Sequence, residues 1–196
     1  MRCPFLAPVA RRLFFIALIL FQVPAVAQEG DPLAKAPNDS VRIQLLSQLS
    51  GTAPDGEWEG YTVQLKALAE KKLAEAKSAG LKRFYAKHLA IALNNLGLDA
   101  SNKGNDKKAA EYWEQCQVVA RQAGDLTLEA TSLSNVCRQY YNNGQLEKAA
   151  TGFHQALGIF RLIGDQSRIA SSLNYLGDIY RAPGRRNPRP SRPGSR

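Results

Sequence analysis

Residues 93–97 read Leu-Asn-Asn-Leu-Gly, residues 133–137 read Leu-Ser-Asn-Val-Cys, and residues 173–177 read Leu-Asn-Tyr-Leu-Gly. The interval is 40 residues each time, and it holds on both sides of the phrase. Ala90, Ala130 and Ala170 precede it in register, and Gly104, Gly144 and Gly184 follow. Between successive phrases lie the pairs Ala109-Ala110 and Ala149-Ala150, the aromatics Trp113 and Phe153, and the steps Gly124-Asp125 and Gly164-Asp165. A fixed period of roughly 20–50 residues marks stacked supersecondary units, each too small to bury its apolar face alone.

The spacing within each period is helical. A helix is predicted near 82–102, a turn at Lys103-Gly104, and a second helix near 106–123 that Gly124-Asp125 closes. Gly suits the left-handed cap of the outgoing helix, and Asp can accept amide hydrogens of the incoming one. The phrase repeats with helices near 127–142 and 146–163, the turn Asn143-Gly144, and the step Gly164-Asp165. A last helix is predicted near 167–181. Upstream, Tyr61, Leu65, Leu68, Leu73 and Ala76 recur at helical spacing without an internal Gly or Pro until Gly80, which predicts an amphipathic helix. Asp39-Ser40 can cap a short helix through Leu49, which Gly51 is expected to end before a loop to Gly60. No strand pattern competes, so the fold class is all-α.

Small residues are placed where antiparallel helices must approach closely. Gly97, Cys137 and Gly177 share one slot in the first helix of each unit; Ala109 and Ala149, then Cys116 and Ala156, share slots in the second. Trp113, Phe153, Tyr140 and Tyr180 are expected to fill the space between the layers. Cys116 and Cys137 stand in consecutive helices. A disulfide between them and a pair of small buried thiols both fit, and the second reading is the stronger because both replace Gly or Ala at packing sites.

This pattern resembles the tetratricopeptide repeat (TPR), whose first helix carries a large residue, Leu-Gly and Tyr, and whose second carries Ala, an aromatic and Ala. Leu173, Leu176-Gly177 and Tyr180 match the first helix fully; Leu133, Val136-Cys137 and Tyr140 match with Cys for Gly; Leu93 and Leu96-Gly97 match with Ala100 in place of the aromatic. Ala149, Phe153 and Ala156 match the second helix, as do Ala109 and Trp113 with Cys116 for Ala. The 40-residue period is similar to the long-repeat branch of kinesin-light-chain-like repeats and bacterial TPR sensors. The resemblance implies a right-handed α-solenoid of antiparallel helix pairs over residues 61–185, with units at 85–124, 125–164 and a partial one at 165–185. Residues 28–60 are then a lead-in with one short helix.

The resemblance also implies a function: capture of an extended peptide or a partner protein along the groove of first helices, where Asn side chains can both donate and accept. By matched position the groove residues are Asn94, Asn95, Asn135 and Asn174, then Arg138 and Asp178 one turn on, then Asn102, Tyr141 and Asn142. Tyr175 interrupts the ladder. Catalysis is not expected. The chain carries no phosphate-loop or dinucleotide glycine signature, no His-Glu-x-x-His and no Cys-x-x-Cys. Its two histidines, His88 and His154, lie in different units without ligands at metal spacing. Neither a metal nor a cofactor is expected.

The formal charge of +9 belongs to the ends. Of the 26 Lys and Arg, three precede residue 13 and six follow residue 180, which leaves 17 to face 17 Asp and Glu. A phosphate-tracking surface needs clustered positive charge, so nucleic acid is not an expected partner. Arg2, Arg11 and Arg12, the apolar run Leu13 to Val23, and Ala25-Val26-Ala27 read as a signal peptide of residues 1–27 cut after Ala27. The run is too short to span a bilayer of roughly 30 Å, so the product is expected to be periplasmic or secreted. Residues 186–196 form a basic tail with three prolines and no hydrophobe, which excludes a helix there. Such a tail is either a disordered extension or the product of a shifted reading frame. The second origin makes the chain the sensory or regulatory front of a larger, truncated signalling protein. Either way the last helix is expected to expose Leu173, Leu176, Ile179 and Tyr180, a flank open to self-association.

Overall fold

The computed structural model describes residues 33–54 and 56–182. The signal peptide expected at residues 1–27 and the tail at 186–196 lie outside the described residues. The described residues from 36 to 182 belong to one compact unit; of the unit before it only a turn at 33–35 is described. Seven helices are described: α1 (Asp39–Thr52), α2 (Trp58–Glu75), α3 (Ala79–Asn102), α4 (Asp106–Ala123), α5 (Leu126–Asn142), α6 (Leu146–Ile163) and α7 (Gln166–Arg181). There is no strand among the described residues. The all-α expectation holds.

Each helix packs on the next in sequence, and α1 also meets α3, as α3 meets α5. The odd-numbered helices therefore form one layer in which α1, α3 and α5 touch in turn and α7 stands apart from α5, while α2, α4 and α6 back them. A layer whose helices meet across the repeat is the inner side of a curved stack.

The punctuation read from the sequence sets these boundaries. Asn38, Ser78, Asn105, Asp125 and Asp165 each accept the amide hydrogen three residues on, as N-caps of α1, α3, α4, α5 and α7. Glycine closes four helices with positive φ: Gly104 (73°), Gly124 (72°), Gly144 (71°) and Gly164 (77°). The two bonds of a Schellman motif follow at each. At the first turn Gly104 N–H donates to Ser101 O at 3.0 Å and Asn105 N–H to Ala100 O at 2.8 Å. At the first step Gly124 donates to Arg121 at 3.1 Å and Asp125 to Ala120 at 2.9 Å. At Asn105, Asp125 and Asp165 the residue after glycine closes one helix and caps the next through its side chain, so the connections can be this short.

Two expectations about the front of the chain need correction. Gly51 does not end the first helix, which runs to Thr52; nothing lies within 4 Å of a side chain placed at Gly51, so the helix simply continues on an open face. The second helix begins at Trp58 rather than Tyr61. More consequentially, α1 packs on both α2 and α3. The pair α1–α2 thus stacks as a unit of its own, held by Lys72 Nζ on Asp39 at 2.7 Å and Lys103 Nζ on Glu59 at 2.8 Å. Lacking the Leu-Gly phrase, it carries no register signal.

The core is a string of small clusters rather than one mass. Ala69, Leu89, Ala90, Leu93, Cys116 and Ala120 join α2, α3 and α4. Ala100, Ala109, Trp113 and Val136 join α3, α4 and α5. Cys137, Ala149, Phe153, Leu157, Leu176 and Ile179 join α5, α6 and α7. Trp113 and Phe153, in equivalent slots, are fully buried; each burial contributes on the order of 2–3 kcal/mol. Each aromatic needs a small partner. In the first full unit this is Gly97, where an added Cβ would stand 2.6 Å from Trp113 Cδ1. In the next unit Cys137 replaces that glycine, and the relief moves across the pair to Gly152 on α6, which faces Cys137 Sγ.

The two thiols are free and buried. Cys116 Sγ lies 3.2 Å from Ala90 O, in a different cluster from Cys137. The packing reading holds and the disulfide does not form. The last helix is also less bare than expected: α6 buries Leu176 and Ile179, and only Leu173 and Tyr180 of the four remain exposed. Tyr180 Oη sits 2.8 Å from His154 Nε2. At Gly177 only Arg181 comes within 4 Å of an added Cβ among the described residues.

Candidate inner-layer groove

The predicted groove residues separate into three groups. Asn135 and Arg138, one turn apart on α5, come together in a pocket of about 240 Å³ between α5 and α7. The sequence also missed much of this pocket. Thr131 and Ser134 extend the α5 wall, Arg168, Ser171, Ser172 and Tyr175 form the α7 wall, and Phe153 and Phe160 of α6 lie beneath. Tyr175 holds the register position of Asn95 and Asn135. Instead of continuing a ladder it stacks on Phe153, with ring centroids 4.7 Å apart and planes 6° from parallel. Tyr141 packs edge-on against it at 5.5 Å, so the predicted Tyr141 supports the pocket rather than lining it.

The second group is occupied elsewhere. Asn95 donates from Nδ2 to Ser50 O at 3.3 Å, with Ser50 Oγ at 3.5 Å, and so ties α3 to α1. With Asn102 it lines a separate pocket of about 360 Å³ that includes Ser50, Trp58 and Leu98. Asn94 is half-buried, and its Oδ1 has no hydrogen-bond partner. Ser134, its register equivalent, likewise has a buried Oγ without a partner, and that oxygen belongs to a pocket-lining residue. The third group is solvent-facing: Asn142 and Asn174 are exposed, and Asp178 pairs with Arg181 on its own helix at 2.5 Å.

The charges of the α5–α7 pocket are one-sided. Its lining holds two arginines and no carboxylate. Arg168 is fixed at the start of α7 by an ion pair with Asp165 and lies 5.9 Å over the Phe160 ring. Arg138 has no acidic partner among the described residues; its guanidinium carbon rests 5.7 Å from the Trp113 ring. A cation held on an aromatic face keeps its hydrogen-bond donors available. No group of His, Cys, Asp and Glu that could hold a metal occurs among the described residues. None of the seven helices is long and apolar enough to cross a membrane.

No protein-family model matches the sequence, and no curated protein matches it. Among solved structures, the chain is similar to the crystal structure of BtubC (BKLC) from P. vanneervenii. The identity is 23%, the TM-score 0.46, and the match covers 77% of this chain and 66% of that one.

Proposed function

We propose that this chain is a TPR-type scaffold of the long-repeat branch, without catalytic chemistry, that seats an extended peptide or partner segment on its inner layer. One observation carries the reading: Asn135 and Arg138 line a pocket open between two inner helices, α5 and α7. Elsewhere in that layer neighbouring helices meet, and the equivalent amide of Asn95 is used to join them. Binding is therefore centred on the far end of the stack rather than spread along an asparagine ladder. The amino-terminal pattern of Arg2, Arg11 and Arg12, an apolar run and Ala25-Val26-Ala27 supports export with cleavage after Ala27.

A random-peptide display selection against purified protein tests the binding. Selected peptides should bind Asn135→Ala/Arg138→Ala at least about tenfold more weakly, the loss of one or two hydrogen bonds, one of them charged. Unchanged affinity overturns the groove assignment. The mass of protein recovered from a periplasmic fraction checks export and should match residues 28–196.

A further inference from the structure

We infer that the cleft at the α1–α3 end of the stack, beside Trp58, is a binding site for a neutral saccharide unit. The inference is independent of the α5–α7 pocket: it concerns another cavity, other residues and another class of ligand.

Charge comes first. The cleft holds about 360 Å³, within the ~300–1,000 Å³ of ordinary small-molecule sites, and no charged residue lines it among the described residues. Its neighbours differ. Arg42 and Lys71 flank the cavity between α1 and α2, and Glu59, Asp99, Lys103 and Lys108 flank the one between α2, α3 and α4. An ion entering a cleft without a countercharge loses hydration for no return, so this lining selects a neutral ligand.

Its polar groups are amides. Asn95 commits Nδ2 to Ser50 at 3.3 Å, but among the described residues its Oδ1 accepts nothing and the Asn102 side chain makes no hydrogen bond. An amide offers donors and an acceptor in one plane, which suits adjacent hydroxyls that both donate and accept.

An aromatic face stands beside them. Of the two tryptophans in the chain, Trp113 is fully buried, whereas Trp58 is half-buried on this cleft. A sugar ring carries C–H groups on its faces and hydroxyls on its rim; the indole takes the first and the amides the second. Leu98, 39% exposed, extends the apolar wall. A peptide backbone would engage the amides and leave the indole unused. Ser50, Gly51, Ala53 and Trp58 all come from the α1–α2 pair and its connection, which lack the Leu-Gly phrase. The cleft is thus an addition to the repeat.

The test uses cellobiose, maltose and N,N′-diacetylchitobiose, with sorbitol as an acyclic polyol and N-acetyl-Ala-Ala-Ala-amide as a neutral peptide. Each is titrated into purified ¹⁵N-labelled protein. The two indole N–H resonances, told apart with Trp58→Phe, supply an internal control. At least one disaccharide should shift the Trp58 signal, with half-saturation in the roughly millimolar range or below, and leave that of Trp113 in place. Asn102→Ala should weaken binding about three- to tenfold with the melting temperature unchanged, as for one neutral hydrogen bond. Gly51→Gln is the second variant. Nothing lies within 4 Å of a side chain placed there, so it narrows the cleft without displacing the core; it should abolish binding while the melting temperature holds or rises. Where one variant fails to fold, the other decides. No Trp58 shift with any of the disaccharides, equal binding of sorbitol, tighter binding of the peptide, or affinity that survives both substitutions overturns the inference.

Discussion

Cys137 on α5 and Gly152 on α6 share one space: a methyl group at Gly152 would overlap the Cys137 sulfur. In the preceding unit the glycine lies on the first helix instead, at Gly97, and Trp113, one residue beyond the equivalent of Gly152, presses against it from the second. In each unit one member of the close contact is glycine, but not on the same helix. Gly152→Ala should therefore destabilise the protein by about 1–3 kcal/mol through overpacking. The double variant Cys137→Gly/Gly152→Ala should recover part of that loss, with a coupling of about 0.5–3 kcal/mol. Urea denaturation of the four proteins measures it; strictly additive effects would dissolve the pairing.

Two other helical glycines separate close packing from helix propensity. At Gly97 the Trp113 indole leaves no room for a Cβ, whereas nothing lies within 4 Å of one at Gly158 in the exposed face of α6. Gly97→Ala should lower stability by about 1–3 kcal/mol despite the better helix former. Gly158→Ala should raise it by about 0.5–1 kcal/mol. Thermal melts with the same sign at both positions would contradict the packing account.

Asn95 and Asn135, equivalent by register, should behave differently. Asn95→Ala removes the bond to Ser50 and should loosen α1, costing about 0.5–1.5 kcal/mol, seen as faster amide exchange in α1. Binding at the α5–α7 pocket should be unaffected. Asn135→Ala should weaken binding there with little change in melting temperature. Swapped outcomes would relocate the site to the α1–α3 end.

This contrast shows what the sequence could and could not convey. The boundaries of α4 and α6 match the predicted 106–123 and 146–163 because Gly, Asn and Asp mark chemistry at the helix ends themselves. The bond from Asn95 to Ser50 was not legible, because Ser50 lies in a helix without the Leu-Gly phrase and register cannot align what does not repeat. Gly152 was overlooked for the opposite reason: the period aligns it with Tyr112, and compensation across a helix pair is invisible to alignment along the chain. The period aligns Arg168 with Leu128, so the repeat gives no sign of the wall that α7 presents to α5.

The buried thiols should resist reagents until the fold opens. Burial pushes Cys116 up to about 11 and Cys137 up to about 12, from an ordinary value of 9.0. At pH 8 both should remain unmodified by iodoacetamide in native protein and react fully in urea. The raised values also set a sign. Their contribution to stability is complete below pH 9.0 and is lost as pH rises toward 11–12, because the unfolded chain ionises first. Rapid native labelling would show that these helix pairs open far more readily than their packing implies.

His88 sets the acid limit. Burial, with a smaller effect of Lys87, lowers it from 6.5, and its ring packs 4.6 Å from Phe84. Its contribution to stability is present above 6.5 and is lost as pH falls through the lowered value, since the unfolded chain takes up the proton first. Wild-type protein should lose melting temperature between pH 7 and pH 5, and His88→Gln should lose less. Parallel curves would assign the acid sensitivity to other groups.

The helices are joined mainly neighbour to neighbour, and α7 rests chiefly on α6. In such a stack the terminal member opens without disturbing the rest. A ligand spanning α5 and α7 supplies that member with a second attachment, and occupancy lowers the fraction of time it spends detached. The pocket would thus act as a clasp on a hinged last leaf: whatever fills it decides whether Leu173 and Tyr180 are held in a fixed place or swing free.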